Sequence, residues 1–191
     1  DVNRCELRIE EGGSLIAEGT VSDSIIFVSN AESPDENDWY GIYNGWGIGT
    51  VRLSYVSYRH ASYVFRGNFG IYGNESDSLR ITHSHFRDMG STVFQSLNAY
   101  SAARVTISNN TFSDYSSFTE NTWYGYSGAL LRIENNEFND GDLGRYELSD
   151  TTQFYFRNNI STSRGYMDIK STVANSSTYQ VTIEGNQLSA P

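Results

Sequence analysis

Short runs of alternating apolar and polar residues recur along this chain at a nearly constant interval. The central apolar residues of these runs are Leu53, Ile81, Ile107, Ile133, Phe156 and Ile183. The intervals between them are 28, 26, 26, 23 and 27 residues. Self-similarity at a near-fixed period is typical of repeat proteins, in which stacked units bury a shared core. The sequence therefore predicts a solenoid.

Each repeat predicts a strand, a tight bend and a second strand. Alternation such as that of Val105 with Ile107 is typical of a strand with one buried face. Three positions after the central apolar residue comes an asparagine, which we expect to take the left-handed conformation of the bend, because asparagine tolerates it and bonds nearby backbone. These asparagines are Asn110, Asn136, Asn159 and Asn186. A third strand follows a loop of variable length, for example at 92–94 and 166–169.

Three short strands in a repeat of about 26 residues predict a triangular coil. Helical repeats need longer runs with a period of 3.6 residues, which the sequence lacks. The predicted fold is therefore all-β, a parallel β-helix of about seven coils formed by a single domain, 1–191. Strands are predicted close to both ends, and neither end carries a helix that would cap the core. We therefore expect either a fragment of a longer solenoid or a subunit whose ends stack head to tail into a homo-oligomer.

The asparagine row resembles the asparagine ladder of the right-handed parallel β-helix, or pectate-lyase-like, superfamily. The segments 11–20, 25–29 and 39–42 are similar to the opening coils of many secreted bacterial β-helix repeat proteins. The resemblance implies a right-handed coil with a ladder at one corner. It leaves the activity open, because this fold carries lyases, hydrolases, adhesins and tailspikes.

Composition and charge indicate which partners the protein has and where it is located. The formal net charge is −10, and Lys170 is the single lysine among thirteen basic residues. Such an acidic chain is a poor partner for nucleic acid or an anionic membrane, and no apolar run is long enough to cross a bilayer. One cysteine, Cys5, allows no internal disulfide. We expect a secreted or cell-surface protein.

Candidate catalytic residues are Glu147, Asp168 and Lys170. Alternation in the strand around Ile169 places Asp168 and Lys170 on one outward face, with Glu147 about one coil earlier. Two carboxylates beside a lysine suit glycoside hydrolysis or proton abstraction next to a uronate. A surface ion pair explains the same residues. Neither the calcium-binding aspartates of lyases nor the paired-aspartate motifs of polygalacturonases are present at convincing spacing.

Candidate glycan-binding residues are of two kinds. A basic cluster is predicted to hold a carboxylate or sulfate, because guanidinium forks match those anions; it contains Arg59, His60, His83, His85 and Arg87. Aromatic residues in two irregular loops are predicted to stack on sugar rings; they are Trp39, Tyr40, Tyr43, Trp46, Trp123 and Tyr124. For the basic cluster, the simpler alternative is an ordinary solvated face. For the aromatic residues, it is packing into the core beneath the loops.

A column of aspartates offers oxygen ligands for Ca²⁺. Asp88, Asp114 and Asp140 recur two residues after an inward apolar residue, and adjacent coils would stack them about 5 Å apart. An aspartate that closes a turn explains the same pattern, so no cofactor is predicted, with Ca²⁺ as the alternative.

These candidate sites are compatible with two functions. The favoured one is a non-catalytic module with a structural, adhesive or glycan-binding role, which recognises a polysaccharide or cell-surface glycan and self-assembles end to end. The alternative is a polysaccharide lyase or glycoside hydrolase that acts on an acidic polysaccharide.

Overall fold

The computed structural model describes residues 5–45, 47, 49–72, 77–162, 165–171 and 178–189. Within these residues the chain forms 22 β-strands and no helix that could cross a membrane. The strands are β1 (Glu6–Ile9), β2 (Leu15–Glu18), β3 (Ile25–Phe27), β4 (Gly41–Asn44), β5 (Val51–Ser54), β6 (Val56–Arg59), β7 (Phe65–Tyr72), β8 (Asp77–Thr82), β9 (His85–Arg87), β10 (Thr92–Tyr100), β11 (Arg104–Ser108), β12 (Thr111–Ser113), β13 (Ser117–Thr119), β14 (Trp123–Gly125), β15 (Leu130–Glu134), β16 (Glu137–Asn139), β17 (Gly144–Leu148), β18 (Gln153–Arg157), β19 (Ile160–Ser161), β20 (Met167–Ser171), β21 (Gln180–Glu184) and β22 (Gln187–Leu188).

The described strands form three parallel sheets, and successive strands of the chain pass from one sheet to the next. Sheet 1 contains β1, β4, β7, β10, β14, β17 and β20, and β13 pairs with β10 beside this path. Sheet 2 contains β2, β5, β8, β11, β15, β18 and β21. Sheet 3 contains β3, β6, β9, β12, β16, β19 and β22. This is an all-β parallel solenoid, and the predicted fold class is confirmed.

The core lies between the three sheets and consists of columns of like residues. Ile107 pairs in register with Ile81 and Ile133, and all three are fully buried. Phe112 stacks on Phe86 at 5.0 Å and on Phe138 at 5.3 Å between ring centroids. Burial of one such side chain stabilises the fold by about 1.5–3 kcal/mol. The alternation in each repeat thus decides which side chains join a column.

The bend between sheets 2 and 3 differs from the prediction by one residue. The left-handed residue directly precedes the position of the recurring asparagine, which Val56 and Ser84 occupy in two earlier coils. The left-handed residues have φ between 51° and 65°; they are Tyr55, His83, Asn109, Asn135, Asn158 and Gly185. The expectation that Asn110 and its counterparts take this conformation is wrong, because the left-handed residue turns the next side chain into the core. There Asn136 Nδ2 donates hydrogen bonds to Ile107 O at 2.8 Å and to Asn159 Oδ1 at 3.1 Å.

The buried asparagines form a hydrogen-bonded row, in which a serine replaces asparagine in an earlier coil. Asn110 Nδ2 donates to Asn136 Oδ1 at 3.0 Å, and Asn159 Nδ2 donates to Asn186 Oδ1 at 3.1 Å. Ser84 occupies the next place in the row and donates its backbone N–H to Asn110 Oδ1 at 3.0 Å. These bonds satisfy amide groups that would otherwise be buried without partners.

The coils at the two ends of the described structure leave apolar side chains exposed. At one end Ile183 is 49% and Leu188 is 58% exposed, although each continues an inward column. At the other end Leu7 is 38% exposed. Cys5 is exposed there with a free thiol.

Candidate functional site

Sheet 1 brings the predicted catalytic residues together on its outward face. Glu147 pairs in register with Tyr124 on one side and with Lys170 on the other. Arg145 pairs with Asp168, two residues earlier on the same strands. These side chains point outward because Trp123, Tyr146 and Ile169, which alternate with them, pack against the core. The predicted alternation around Ile169 is confirmed.

The charged groups on this face are paired with one another. Lys170 Nζ lies 2.8 Å from Asp168 Oδ2. The hydrogen bond from Lys170 to the Asp168 carboxylate, together with the charge of that carboxylate, raises the pKa of Lys170. A lysine that abstracts a proton near neutral pH needs a lowered pKa instead. Lys170 in this arrangement is therefore suited to hold an anion or donate hydrogen bonds, and is poorly suited to act as a base.

A polar groove of about 350 Å³ lies beside this face, between β13 and the loops before β17 and β20. Its lining residues are Ser91, Thr92, Ser116, Ser117, Thr119, Glu120, Asp142, Gly144, Arg145 and Tyr166. Arg145 Nε donates a hydrogen bond to Tyr166 Oη at 2.8 Å, and Tyr166 is 48% exposed. We call this groove, together with Tyr124, Glu147, Asp168 and Lys170, the sheet 1 groove.

Three residues that shape the sheet 1 groove were not predicted from the sequence. Thr119 belongs to β13, which lies in a segment without the repeat pattern, while Arg145 and Tyr166 lie next to residues that were selected. Thr119 Oγ1 accepts a hydrogen bond from the Arg145 backbone N–H at 3.1 Å. The outward position of Arg145, two residues before Glu147, was the available signal.

The two tryptophans that the structure describes are in the core, so their predicted role in sugar stacking is wrong. Trp123 is fully buried, with its ring 4.8 Å from Phe94 and 5.6 Å from Tyr146. Trp39 packs on Tyr58 at 4.9 Å and donates from Nε1 to the backbone O of Arg59 at 3.0 Å. Trp123 is inaccessible to a sugar, and Trp39 is only 9% exposed.

The predicted tyrosines are half-buried and their ring faces are partly covered. The guanidinium of Arg66 lies 4.4 Å from the ring centre of Tyr40, and that of Arg8 lies 4.5 Å from Tyr43. Tyr124, in the sheet 1 groove, stacks on Tyr126 at 5.8 Å and pairs in register with Glu147. Trp46 lies outside the described residues.

The predicted basic cluster lies on sheet 3 and at its two bends. Arg59 pairs in register with Arg87, and His85 shares the outward face with Arg87 while Phe86 points inward. Both arrangements were predicted and are confirmed. Asp88 lies at one end of the cluster, where its Oδ2 is 3.8 Å from His60 Nε2 and 3.6 Å from Arg87 Nε.

The aspartate column closes a turn. Asp88, Asp114 and Asp140 have φ of 54°, 52° and 71°, which is the left-handed conformation that aspartate tolerates in tight bends. Among the residues that the structure describes, no group of three or more His, Cys, Asp or Glu is placed to hold a metal ion. The positive φ values confirm that these aspartates lie in a turn.

The class of this protein is established by its fold alone. No family model matches the chain, and comparisons with curated proteins and with solved structures gave no match. The arrangement of three parallel sheets defines a parallel β-solenoid.

Proposed function

We propose that this chain is a secreted or cell-surface β-helix module that binds a polysaccharide in the sheet 1 groove without cleaving it. The observation that carries the proposal is the row Tyr124, Glu147 and Lys170 on three adjacent strands, beside the pair Arg145 and Tyr166. Sugar sites combine aromatic side chains with a few charged hydrogen-bonding groups. Strands about 4.8 Å apart repeat such groups along the solenoid, which suits a polymer better than a single sugar.

Binding is favoured over catalysis by the state of Lys170. Lys170 Nζ lies 2.8 Å from Asp168 Oδ2. The candidate base, Lys170, and one of the two candidate carboxylates, that of Asp168, are therefore already paired with each other. A resemblance to the pectate-lyase-like superfamily is consistent with a glycan ligand, since many members of that superfamily act on polysaccharides. That superfamily also includes adhesins and tailspikes, so a module without turnover is not unusual for it.

The first test is a binding and turnover assay with a panel of neutral and acidic polysaccharides. We expect retention on at least one polymer with no release of reducing or unsaturated sugars. Tyr124→Ala combined with Arg145→Gln should weaken binding by tenfold or more, because it removes an aromatic contact and the guanidinium next to Tyr166. The matched control is Tyr155→Ala with Arg132→Gln, which removes the same side-chain types from the outward face of sheet 2. Equal binding by the two variants would contradict the proposal.

A polysaccharide hydrolase or lyase is the alternative, and one feature favours the hydrolase. Glu147 and Asp168 lie on adjacent strands with an offset of two residues. Strand geometry then puts their Cα atoms about 8 Å apart, which allows the two carboxyl groups to reach the separation of about 6.5–9.5 Å that inverting glycosidases use. Sugar release that disappears in both Glu147→Gln and Asp168→Asn would establish this alternative and overturn the non-catalytic proposal.

End-to-end self-assembly is a second part of the proposal. The support for it is the apolar surface that Ile183 and Leu188 leave exposed in the last described coil. Unpaired strand edges with exposed apolar columns favour stacking of a second copy. Sedimentation velocity over a hundredfold concentration range tests this part. A single monomeric species throughout would reject it.

A further inference from the structure

Two pairs of arginines flank the bend between sheets 2 and 3. Arg52 pairs in register with Arg80 in sheet 2, and Arg59 pairs with Arg87 in sheet 3. Each pair places two guanidinium groups on adjacent strands about 4.8 Å apart, and like charges placed directly opposite each other destabilise a sheet. In the described part of the chain, neither Arg52 nor Arg80 forms an ion pair. The carboxylate of Glu18 lines a groove together with both arginines, but among the described residues it forms no ion pair with either of them.

Another arginine of sheet 2 shows how the fold neutralises such a charge elsewhere. Arg157 lies between two glutamates on the adjacent strands, with Nε 2.9 Å from Glu184 and Nη1 3.9 Å from Glu134. Its guanidinium also lies 4.4 Å from the ring centre of Tyr155. Arg52 and Arg80 have no such carboxylates on either side. Arg52 and Arg80 are therefore available to bind an anion from outside the chain.

Further unsatisfied donors lie at the opposite end of the sheet 3 strands, beside the next bend. Arg59 Nε is buried and has no hydrogen-bond partner, and the same holds for His60 Nδ1. His85 is exposed next to Ser57, with which it pairs in register. The chain has three histidines, and His60, His83 and His85 all belong to this cluster. Asp88, near His60 and Arg87, offsets part of the positive charge.

Two grooves meet at the bend itself. Tyr55 and His83 are left-handed residues on adjacent coils, and their rings stack at 5.0 Å with an angle of 14°. On one side of this stack is a groove of about 260 Å³, which Arg52 and Arg80 line together with Ser54, Thr82 and Glu18. On the other side is a groove of about 370 Å³, which Ser57 and His85 line together with Thr20 and Ser24. Basic side chains and hydroxyl groups border both grooves, and the Glu18 carboxylate also lines the smaller one.

We infer that this bend is a second binding site, which takes the carboxylate or sulfate groups of an acidic polysaccharide. Guanidinium forks bind these planar or tetrahedral oxyanions in two-point fashion, and serine and threonine hydroxyls match the sugar hydroxyl groups between them. Two grooves joined across a ring stack suit neighbouring charged sugars of one polymer. Nucleic acid fits less well, because Tyr55 and His83 stack on each other and leave no gap between their rings for a base.

The inference rests on the proposed function for its class of ligand, but it uses no residue of the sheet 1 groove. The experiment measures binding of the full chain to polygalacturonate, to dextran sulfate and to unmodified dextran by titration calorimetry at low and high salt. Arg52→Gln with Arg80→Gln should weaken binding to at least one anionic polymer by tenfold or more and reduce its salt dependence. Polygalacturonate and dextran sulfate then distinguish a carboxylate ligand from a sulfate ligand.

The matched control is Arg104→Gln with Arg132→Gln, which changes the net charge equally on the outward face of the same sheet. A second variant, Arg52→Lys with Arg80→Lys, keeps the charge but loses the fork, and should weaken binding two- to fivefold. This variant also tests the site if the glutamine variant fails to fold. Equal losses in the site and control variants, no binding to either anionic polymer, or equally tight binding of a single-stranded oligonucleotide would overturn the inference.

The two variants can reject the proposal for one site without rejecting the proposal for the other. If Tyr124→Ala with Arg145→Gln abolishes binding while Arg52→Gln with Arg80→Gln does not, the proposed function stands and the second site is rejected. If the arginine variant alone abolishes binding of the anionic polymers, the second site stands and the sheet 1 groove is rejected.

Discussion

Ile107 and Ile183 hold the same place in two copies of the repeat, yet their surroundings differ completely. Ile107 is fully buried, with Ile81 and Ile133 on the adjacent strands, whereas Ile183 has Phe156 on one side and is 49% exposed. The local pattern therefore decides which way a side chain points, and the neighbouring coils decide how much it contributes to stability. In a solenoid the interface between coils carries much of the folding free energy.

The largest effect is expected from Phe112→Ala in the middle of the solenoid. Phe112 packs against Phe86, Phe118 and Phe138 at centroid distances of 5.0–5.3 Å, and such truncations cost about 3–5 kcal/mol. Leu188→Ala, in the same column but 58% exposed, should cost less than about 1 kcal/mol. Urea denaturation measures both losses. Similar values for the two variants would show that the exposed coil is packed in solution.

The second effect is the loss of a hydrogen-bonded asparagine. In Asn136→Ala, the backbone O of Ile107 loses its donor, and Asn110 Nδ2 and backbone N–H lose their acceptor, Asn136 Oδ1. Asn110 Nδ2 keeps its hydrogen bond to Ile81 O, so two groups are left unsatisfied. Each such group costs about 1–3 kcal/mol, and we therefore expect a total of about 2–6 kcal/mol. Asn186→Ala, at the half-buried end of the row, should cost about half as much. The comparison fails if Asn186→Ala is the more destabilising variant in the same denaturation assay.

A smaller effect is expected on raising the pH, and it too originates in the buried coils. Burial raises the pKa of Tyr58 and of Tyr146. Below the pKa of about 10 in the unfolded chain, both states keep these protons; above it, the unfolded state loses them first. The free energy of unfolding should therefore fall above pH 10, by up to about 1.4 kcal/mol per pH unit for each tyrosine.

Tyr146→Phe isolates one of these two contributions. The variant loses the hydrogen bond from Tyr146 Oη to Leu143 O at 2.8 Å, which should cost about 1 kcal/mol at neutral pH. It should also make the decline of stability above pH 10 less steep. An unchanged slope in denaturation curves from pH 8 to 11 would mean that Tyr146 does not contribute.

The fold and the pairing of strands were predictable because they follow from local alternation. The register of Arg59 with Arg87 and the outward position of Asp168 and Lys170 needed no more than a period of two residues and a repeat length. The exact left-handed residue was not predictable from asparagine alone, because asparagine suits both the bend and the buried row beside it. Asn109 and Asn110 occupy both places in one coil.

The binding surfaces were predicted less well because they depend on segments outside the repeat. Trp39 and Trp123 were selected for their residue type, but the direction of a ring in an irregular loop depends on the coils around it. Trp39, for example, covers Tyr58. Thr119 and Tyr166 join the sheet 1 groove through β13 and the loop before β20, which no periodic pattern identifies.

At the left-handed bend, the side chain can vary without changing how the core packs. A bulky residue in this conformation costs about 1 kcal/mol more than glycine, and asparagine is a milder substitute. Three coils have asparagine at this position and one has glycine, whereas two adjacent coils carry Tyr55 and His83. Because the side chain at the bend projects away from the interior, each coil can display a different group there without repacking its neighbours. This edge of the solenoid is a linear display with one exchangeable position per coil.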